Sequence, residues 1–486
     1  MEAIIMLGNS RVSFFSDDDI ELMKDKVFTL LATRGFKMEH PKVLKLLDKA
    51  GAIVDLNTGI VRFPKSFIDE KLRLAPREFS IGARNRENRL KVPRPDGTYY
   101  VRTGTGAHTI IDPKTDEFRL VNLSDVIFLA RLADTLEHVD IFSVPTPSDV
   151  PAESADVHAV STALQHIHKN VWIQPYSEKS VEYLTRLTQV ASGGEKQAKE
   201  NPAASIISCA LSPLELKSMD AEIILQAAAK GLPIFACSLP SAGATAPITM
   251  PGVAILSAAE TLSILITAQV INPGAPVIPT PLIYALDMAS GRTMQSSPEA
   301  ARGGALVNQF IKRAFNLPTN ATGCGCDSPW HDGQSMIERT IHTMLIGISG
   351  VDVLGNSANL EVATTISPVQ LVIDDEMNGM VQKILTKPVV NDDTMAWDLL
   401  SQAKPGMQFL SCDHTFKHCR EGFRPKSFTR MTGEAWSKEG KKDLLERARE
   451  RYFKLVETQP ETTMSTDQVK EMASIVKKAD VSIIGS

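Results

Sequence analysis

From Ile141 onward the chain alternates short apolar runs with long segments of helical spacing, and few folds accommodate that order. The runs are IFSVP (141–145), VWIQP (171–175), SIISCA (205–210), PIFACS (233–238), PVIPT (276–280), TNATGC (319–324), VDVLG (351–355) and MQFLSC (407–412). Helices are predicted between them over 152–169, 178–191, 213–230, 252–271, 298–315, 332–348 and 368–385. Strands joined through helices run parallel, and eight of them in about 270 residues is the arithmetic of an α/β fold of the (β/α)8 barrel type. An open doubly wound sheet is the rival. It would carry a Gly-rich phosphate loop after its first strand, where this chain has PTPSDVPAES.

The expected organisation is an N-terminal α+β extension over 1–140, a catalytic barrel over 141–414 and a C-terminal helical tail over 415–486. In the extension, Ser16 reads as the N-cap of a helix over 17–33, with acidic residues in its first turn. A second helix is predicted over 42–50. Hairpins are predicted over 53–63, turning at Asn57-Thr58-Gly59, and over 105–120, turning at Asp112-Pro113. The stretches 79–90 and 98–103 are strand-like. An amphipathic helix over 438–457 should pack on the outside of the barrel.

Composition narrows the function classes. Lys plus Arg is 52 and Asp plus Glu is 57, for a net charge of −5 with no long basic run, which argues against a phosphate-neutralising nucleic-acid binder. Six cysteines are too few for a disulfide scaffold, so a reducing cytoplasm is expected. MEAIIMLGNSRVSF lacks a basic leader and a long apolar core, so no signal peptide is expected. The most apolar stretch, 252–271, holds Glu260 and Gln269 and reads as a buried helix, not a bilayer span.

Barrel chemistry sits where strands end. The proposed ends carry Thr146, Gln174, Tyr176, Cys209, Ser212, Ser238, Thr280, Tyr284, Cys324, Asp327, Asn356, Glu361, Cys412 and His414. Cysteines converging with His331 and His414 could hold zinc. Cys324-Gly-Cys326 is not a CxxC pair, however, and cysteine is common among buried strand residues, so packing is the simpler reading. DVHAVS (156–161) approaches a D-x-H-x-x-G cobalamin-ligand pattern but ends in Ser within a predicted helix, and His158 is not assigned as a ligand. Tyr176, Tyr284 and Trp330 fall in predicted mouth loops, where aromatic faces suit a quaternary ammonium.

These residues lie in strings that resemble the trimethylamine methyltransferase family, in its branch without pyrrolysine, which includes glycine betaine:corrinoid methyltransferases. The strings are GTGAHTIIDPKTDEFRL with ARLADTLEHVD, PSAGATAPITMPG with AAETLSILITAQVINPGAPVI, YALDMASGRTMQSSPE, GCGCDSPWHDGQ, SPVQLVIDDEM and DHTFKHCREGFRPKSFTR, spread over nearly the whole chain. The resemblance implies a (β/α)8 barrel. It also implies a methyltransferase acting with a corrinoid (cobalamin) held by a partner protein and not bound tightly by this chain. Gly333, in Asp332-Gly333-Gln334, stands at or beside the pyrrolysine position. The electrophile is therefore missing, and the expected substrate is a quaternary amine, whose tertiary-amine leaving group needs no activation.

The expected reaction moves a methyl group from glycine betaine or a relative to Co(I). The ammonium is assigned to Tyr284, Trp330 and His331, with Tyr176 as a further candidate, and the carboxylate to Arg292 or a loop N–H. Asp287 and Asp327 are read as loop-shaping, although Asp327 remains a substrate-side candidate. An Asp287–Arg292 pair is the alternative role for Arg292. Glu361 could add negative charge near the ammonium, and no general acid or base is assigned. Gly323, Gly325, Asp332, Gly333 and Asn356 are expected to face the corrinoid. No metal is expected. Two other readings stay open: a zinc-dependent thiol methyltransferase, and a non-catalytic betaine-binding or corrinoid-docking protein. The family leads to the expectation of a homo-oligomer, and the identity of the betaine is left open.

Overall fold

The computed structural model describes residues 12–457 and 464–485. Most of the N-terminal stretch read for a leader lies outside the described residues. The eight barrel strands are β1 Tyr100–Thr103, β2 Ile141–Ser143, β3 Asn170–Ile173, β4 Ala204–Ala210, β5 Ile234–Ser238, β6 Val277–Pro281, β7 Asn320–Thr322 and β8 Val353–Ser357. All neighbouring pairs are parallel, β1 pairs with β8, and the ladder is open only between β6 and β7. The helices that follow each strand are α1 Leu123–Thr135, α2 Ala155–His166, α3 Ser180–Ala191, α4 Ser218–Lys230, α5 Met250–Ile271, α6 Pro298–Phe315, α7 Gly333–Ile348 and α8 Pro368–Leu385.

The barrel thus begins one strand earlier than the apolar runs suggest. Seven of those runs are strands, but 407–412 is turn and coil, with Leu410 85% exposed. The first strand is the stretch 100–103, and the barrel's last helix ends at Leu385, so the 141–414 boundaries are corrected to Tyr100–Leu385. The stretch 98–103 is strand-like in sequence, but a hairpin stands between it and its helix, so the regular alternation is legible only from Ile141, whereas the exposed apolar run 407–412 imitates a strand. The helix α1, capped by Asn122 in a capping box with Asp125, completes the alternation.

Helix starts follow local chemistry. Pro298 and Pro368 occupy first helical positions behind Ser297 and Ser367 caps, and Ser16 closes a capping box with Asp19 ahead of Asp17–Thr33. The helix α5 is apolar around its whole circumference because it is buried on all sides. The barrel lies on one side, and the extension helices Asp17–Thr33 and Lys65–Leu74 lie on the other. It is the one described helix long and apolar enough to cross a bilayer, and 83% of its most apolar window is buried inside the protein.

The N-terminal end of the barrel is sealed. The antiparallel pair Phe79–Ile81 and Leu90–Val92 packs Ile81, Leu90 and Val92 against Tyr100, Ile141, Trp172, Ile207, Phe235, Ile278 and Val353. Chemistry is left to the opposite end. Outside, the tail helix begins at Leu444, later than expected, and crosses α8 and α1, held by Arg451–Asp375 (3.2 Å) and Arg449–Asp116 (2.5 Å). The helix Thr466–Ile484 lies on α2 and α3, where Asp480 accepts from Ser154 Oγ (2.6 Å) and faces His158 Nε2 at 3.0 Å. His158 is therefore directed into a helix-docking contact.

Candidate active site

The inner face of the barrel holds a guanidinium. Arg102 is fully buried above the sealed floor, its Cζ 4.2 Å from the centroid of the Trp172 ring. Its Nη1 donates to Thr103 O (3.0 Å) and Ser143 Oγ (2.9 Å). Its Nε and Nη2 have no protein partner, and no carboxylate pairs with it among the described residues. Burial pulls its pKa down to about 10, with Cys237 and Tyr284 acting in the other direction. Gly355 of β8 makes the space it occupies: a Cβ there would collide first with the Arg102 Nη2 and would lie 2.9 Å from Cζ and 3.2 Å from Nε.

Tyr284, just past β6, leans onto this interior beside Cys209. Both are only partly buried, Cys209 near the C-terminal end of β4 and Tyr284 past that of β6, and the interior they border at the mouth end is the recess. The Tyr284 hydroxyl is raised by burial, then by Cys237 and Cys209, with Asp327 adding and Arg102 opposing. Cys209 and Cys237 are register partners on β4 and β5, and the Cys209 thiol is raised by its hydrogen bond to Cys237 and by burial. Cys324 and Cys326 belong to other packing groups, against α7 and α8 and against Ile111 and Leu360, and burial pushes Cys324 up to about 12. The cysteines do not converge: no group of three or more His, Cys, Asp or Glu residues is placed to hold a metal among the described residues.

Asp327 joins the loops after β6 and β7 by accepting from the backbone N–H groups of Gln295 (2.7 Å) and Ser296 (3.0 Å). That is the loop-shaping role expected of it, and burial raises its pKa. Gln295 is itself buried, with both carboxamide atoms unpartnered, lying where a Gly325 side chain would otherwise be. The end of β8 and the loop after it are strained. Asn356, Ala358, Glu361, Val362 and Ala363 all have positive φ, a pattern that concentrates at functional sites. The loop carries Asn359, buried against Gly104 with an unpartnered carboxamide, and β8 ends on Ser357 with an unpartnered hydroxyl.

The predicted substrate residues do not form one cage. Trp330 is half-buried on the rim, its ring tilted 48° against Phe118 of the β1–α1 hairpin (5.7 Å between centroids) and packed with Ile111, Cys326 and Leu360. His331 lies under it (4.2 Å), buried with both ring nitrogens unpartnered, and desolvation pulls its pKa down to about 4. A neutral imidazole in that place belongs with the hairpin seal, not with the Tyr284 recess. Arg292 is exposed in a hairpin whose turn Asp287 shapes by accepting from Ala289 N (3.1 Å) and Ser290 N (3.2 Å). No ion pair joins Asp287 to Arg292, which instead share a backbone bond from Asp287 N to Arg292 O. Tyr176 is exposed and bonded to Thr146 across the mouth.

Glu361 is half-buried and accepts from the hydroxyls of Thr364 and Thr365. Among the residues expected to face the corrinoid, Asp332 (the α7 cap) and Gly333 are exposed. Gly323, Gly325 and Asn356 are buried, Gly323 against Leu354. Sequence reasoning missed Arg102, Gln295 and Asn359. Only Arg102 left a signal, as a lone charge in the strand-like TYYVRT.

Comparison with known proteins matches residues 3–483 to the trimethylamine methyltransferase (MTTB) family. The trimethylamine methyltransferase of Desulfitobacterium hafniense (strain DSM 10664 / DCB-2) is 27% identical over 99% of this chain and 97% of its own length. A glycine betaine methyltransferase of D. hafniense (strain Y51) is 26% identical over 92% of each chain. The crystal structure of the Methanosarcina barkeri monomethylamine methyltransferase superposes with a TM-score of 0.55 at 12% identity, covering 93% of this chain and 90% of the other, a likeness of fold.

Proposed function

Because the chain belongs to the trimethylamine methyltransferase family and is a methyltransferase with a (β/α)8 fold, we propose that its donor is a small quaternary amine, glycine betaine or a related betaine. The acceptor is Co(I) of a corrinoid carried by a separate protein. The observation that carries this reading is the barrel interior: a floor sealed by apolar packing, with Tyr284, only partly buried, packed against it from past the end of β6.

An aromatic face holds a tetraalkylammonium without needing a hydrogen-bond donor from it. On transfer the nitrogen keeps the electron pair of the broken C–N bond and leaves as a neutral tertiary amine, so the chain has no proton to supply. Its work is to position one methyl at the mouth and to exclude water. Gly333, exposed at the first position of α7, stands at or beside the position that the family resemblance gives to pyrrolysine, and the absence of an electrophilic side chain there suits a donor that needs no activation.

The test is single-turnover transfer to Co(I) cobalamin across a panel of quaternary amines, read by the absorbance of methylcobalamin. Tyr284→Ala should lower the specificity for the best donor about tenfold, the loss of one desolvated cation–π face. Tyr284→Phe, which keeps the ring, should stay within a few-fold of wild type. Equal rates for all three proteins, or no transfer from any quaternary amine, would overturn the reading.

A further inference from the structure

The described residues offer several features that the proposed function leaves unused, and Arg102 is the most demanding of them. A buried guanidinium ordinarily has a carboxylate beside it, because desolvation of an isolated charge costs far more than stacking on an indole returns. Arg102 is fully buried and bonds only a carbonyl and a hydroxyl through Nη1, while Nε and Nη2 meet no protein acceptor. Those two nitrogens form one edge of the guanidinium fork, which is the edge that accepts a carboxylate in a bidentate pair.

The surroundings are built to hold the guanidinium in place. Trp172 fixes one face, Gly355 withholds a side chain that would collide with it, and Ser143 ties down Nη1. The half-exposed Tyr284 packs on the same interior group as Trp172 and stands on the mouth side, past the end of β6. The buried Gln295 carboxamide, both atoms unpartnered, comes from the same β6–α6 loop.

We infer that the Nε–Nη2 edge of Arg102 is the receptor for the substrate's carboxylate, which fixes the substrate class as zwitterionic N-methyl ammonium acids. The inference rests on the quaternary-amine reading above and adds polarity to it: the acid end points down to Arg102 and the ammonium points up past Tyr284 to the mouth. It also replaces Arg292, which is exposed, as the carboxylate partner. An amine without an acid group would set a second cation beside an uncompensated one, so the same geometry works against trimethylamine-like donors.

Direct binding tests this apart from catalysis. Calorimetry on the full chain would compare glycine betaine, proline betaine and carnitine with tetramethylammonium and choline, which lack the carboxylate. Wild type should prefer the best acid by about a hundredfold or more, in keeping with a desolvated bidentate ion pair. Arg102→Met should reduce that preference below tenfold. Gly355→Ala, which displaces the guanidinium and keeps its charge, should do the same and serves if Arg102→Met does not fold.

Wild-type binding indifferent to the carboxylate, or acid preference intact in the variants, overturns the assignment. The two readings fail separately. Methyl transfer from tetramethylammonium with no binding of any acid removes the Arg102 role and leaves the methyltransferase. Arg102-dependent binding of an acid that donates no methyl to Co(I) keeps the receptor and removes the reaction.

Discussion

Arg339→Met should destabilise the chain by about 3–5 kcal/mol, because it leaves Asp374 charged and alone in the interior. Both side chains are fully buried and meet at 2.8 Å. Arg339 also donates to the carbonyls of Cys324 (2.6 Å) and Asn359 (3.0 Å), and Asp374 accepts from Ala358 N (2.7 Å) and Gln370 Nε2 (2.8 Å). Burial alone would lower the Arg339 pKa, and the Asp374 charge carries it above its ordinary range instead. Through this pair α7 and α8 hold the loops after β7 and β8, the strained one included. Urea denaturation should therefore show the full loss in the single variant. Arg339→Met with Asp374→Leu should recover a large part of it, since an apolar pair leaves no charge uncompensated. A single variant within 1 kcal/mol of wild type would show that the ion pair is not holding the loops.

The second large effect is a dependence on pH. His342 is buried, with Nδ1 3.2 Å from Ser296 Oγ and Nε2 unpartnered, and desolvation pulls its pKa down to about 4. A depressed histidine is neutral in the folded chain, while the unfolded chain takes up its proton near the ordinary value of about 6.5. Its contribution to stability is thus fully present above the unfolded value and is lost as pH falls toward the folded one. His342→Gln removes that titration.

The stability difference, wild type minus variant, should therefore fall by on the order of 3 kcal/mol between neutral pH and pH 4. Comparison with the variant is needed because buried carboxyls act oppositely. Asp220, raised to about 6 by burial, gains a proton on folding in the same range. Chemical denaturation of both proteins across that range measures the difference, and a flat difference would mean that His342 is protonated or solvated in the folded chain.

The sequence by itself determined the order of most elements and many of their ends. Helix periodicity, Ser–Pro starts such as Ser297-Pro298 and Ser367-Pro368, and turn chemistry such as Asn57-Thr58-Gly59 are encoded within a few residues, and the structure repeats them. Tertiary structure alone decided what faces the interior. The stretch 98–103 reads as a strand by itself, but its place as the first barrel strand was decided only by its pairing with β8 on one side and β2 on the other. The run 407–412 is apolar in sequence and lies as exposed turn and coil outside every sheet. Likewise, Tyr284 and Trp330 look equivalent as loop aromatics, yet one faces the recess and the other seals the rim against Phe118. Which loop residues meet is set by barrel closure, which juxtaposes residues from distant parts of the chain, and no local pattern carries that information.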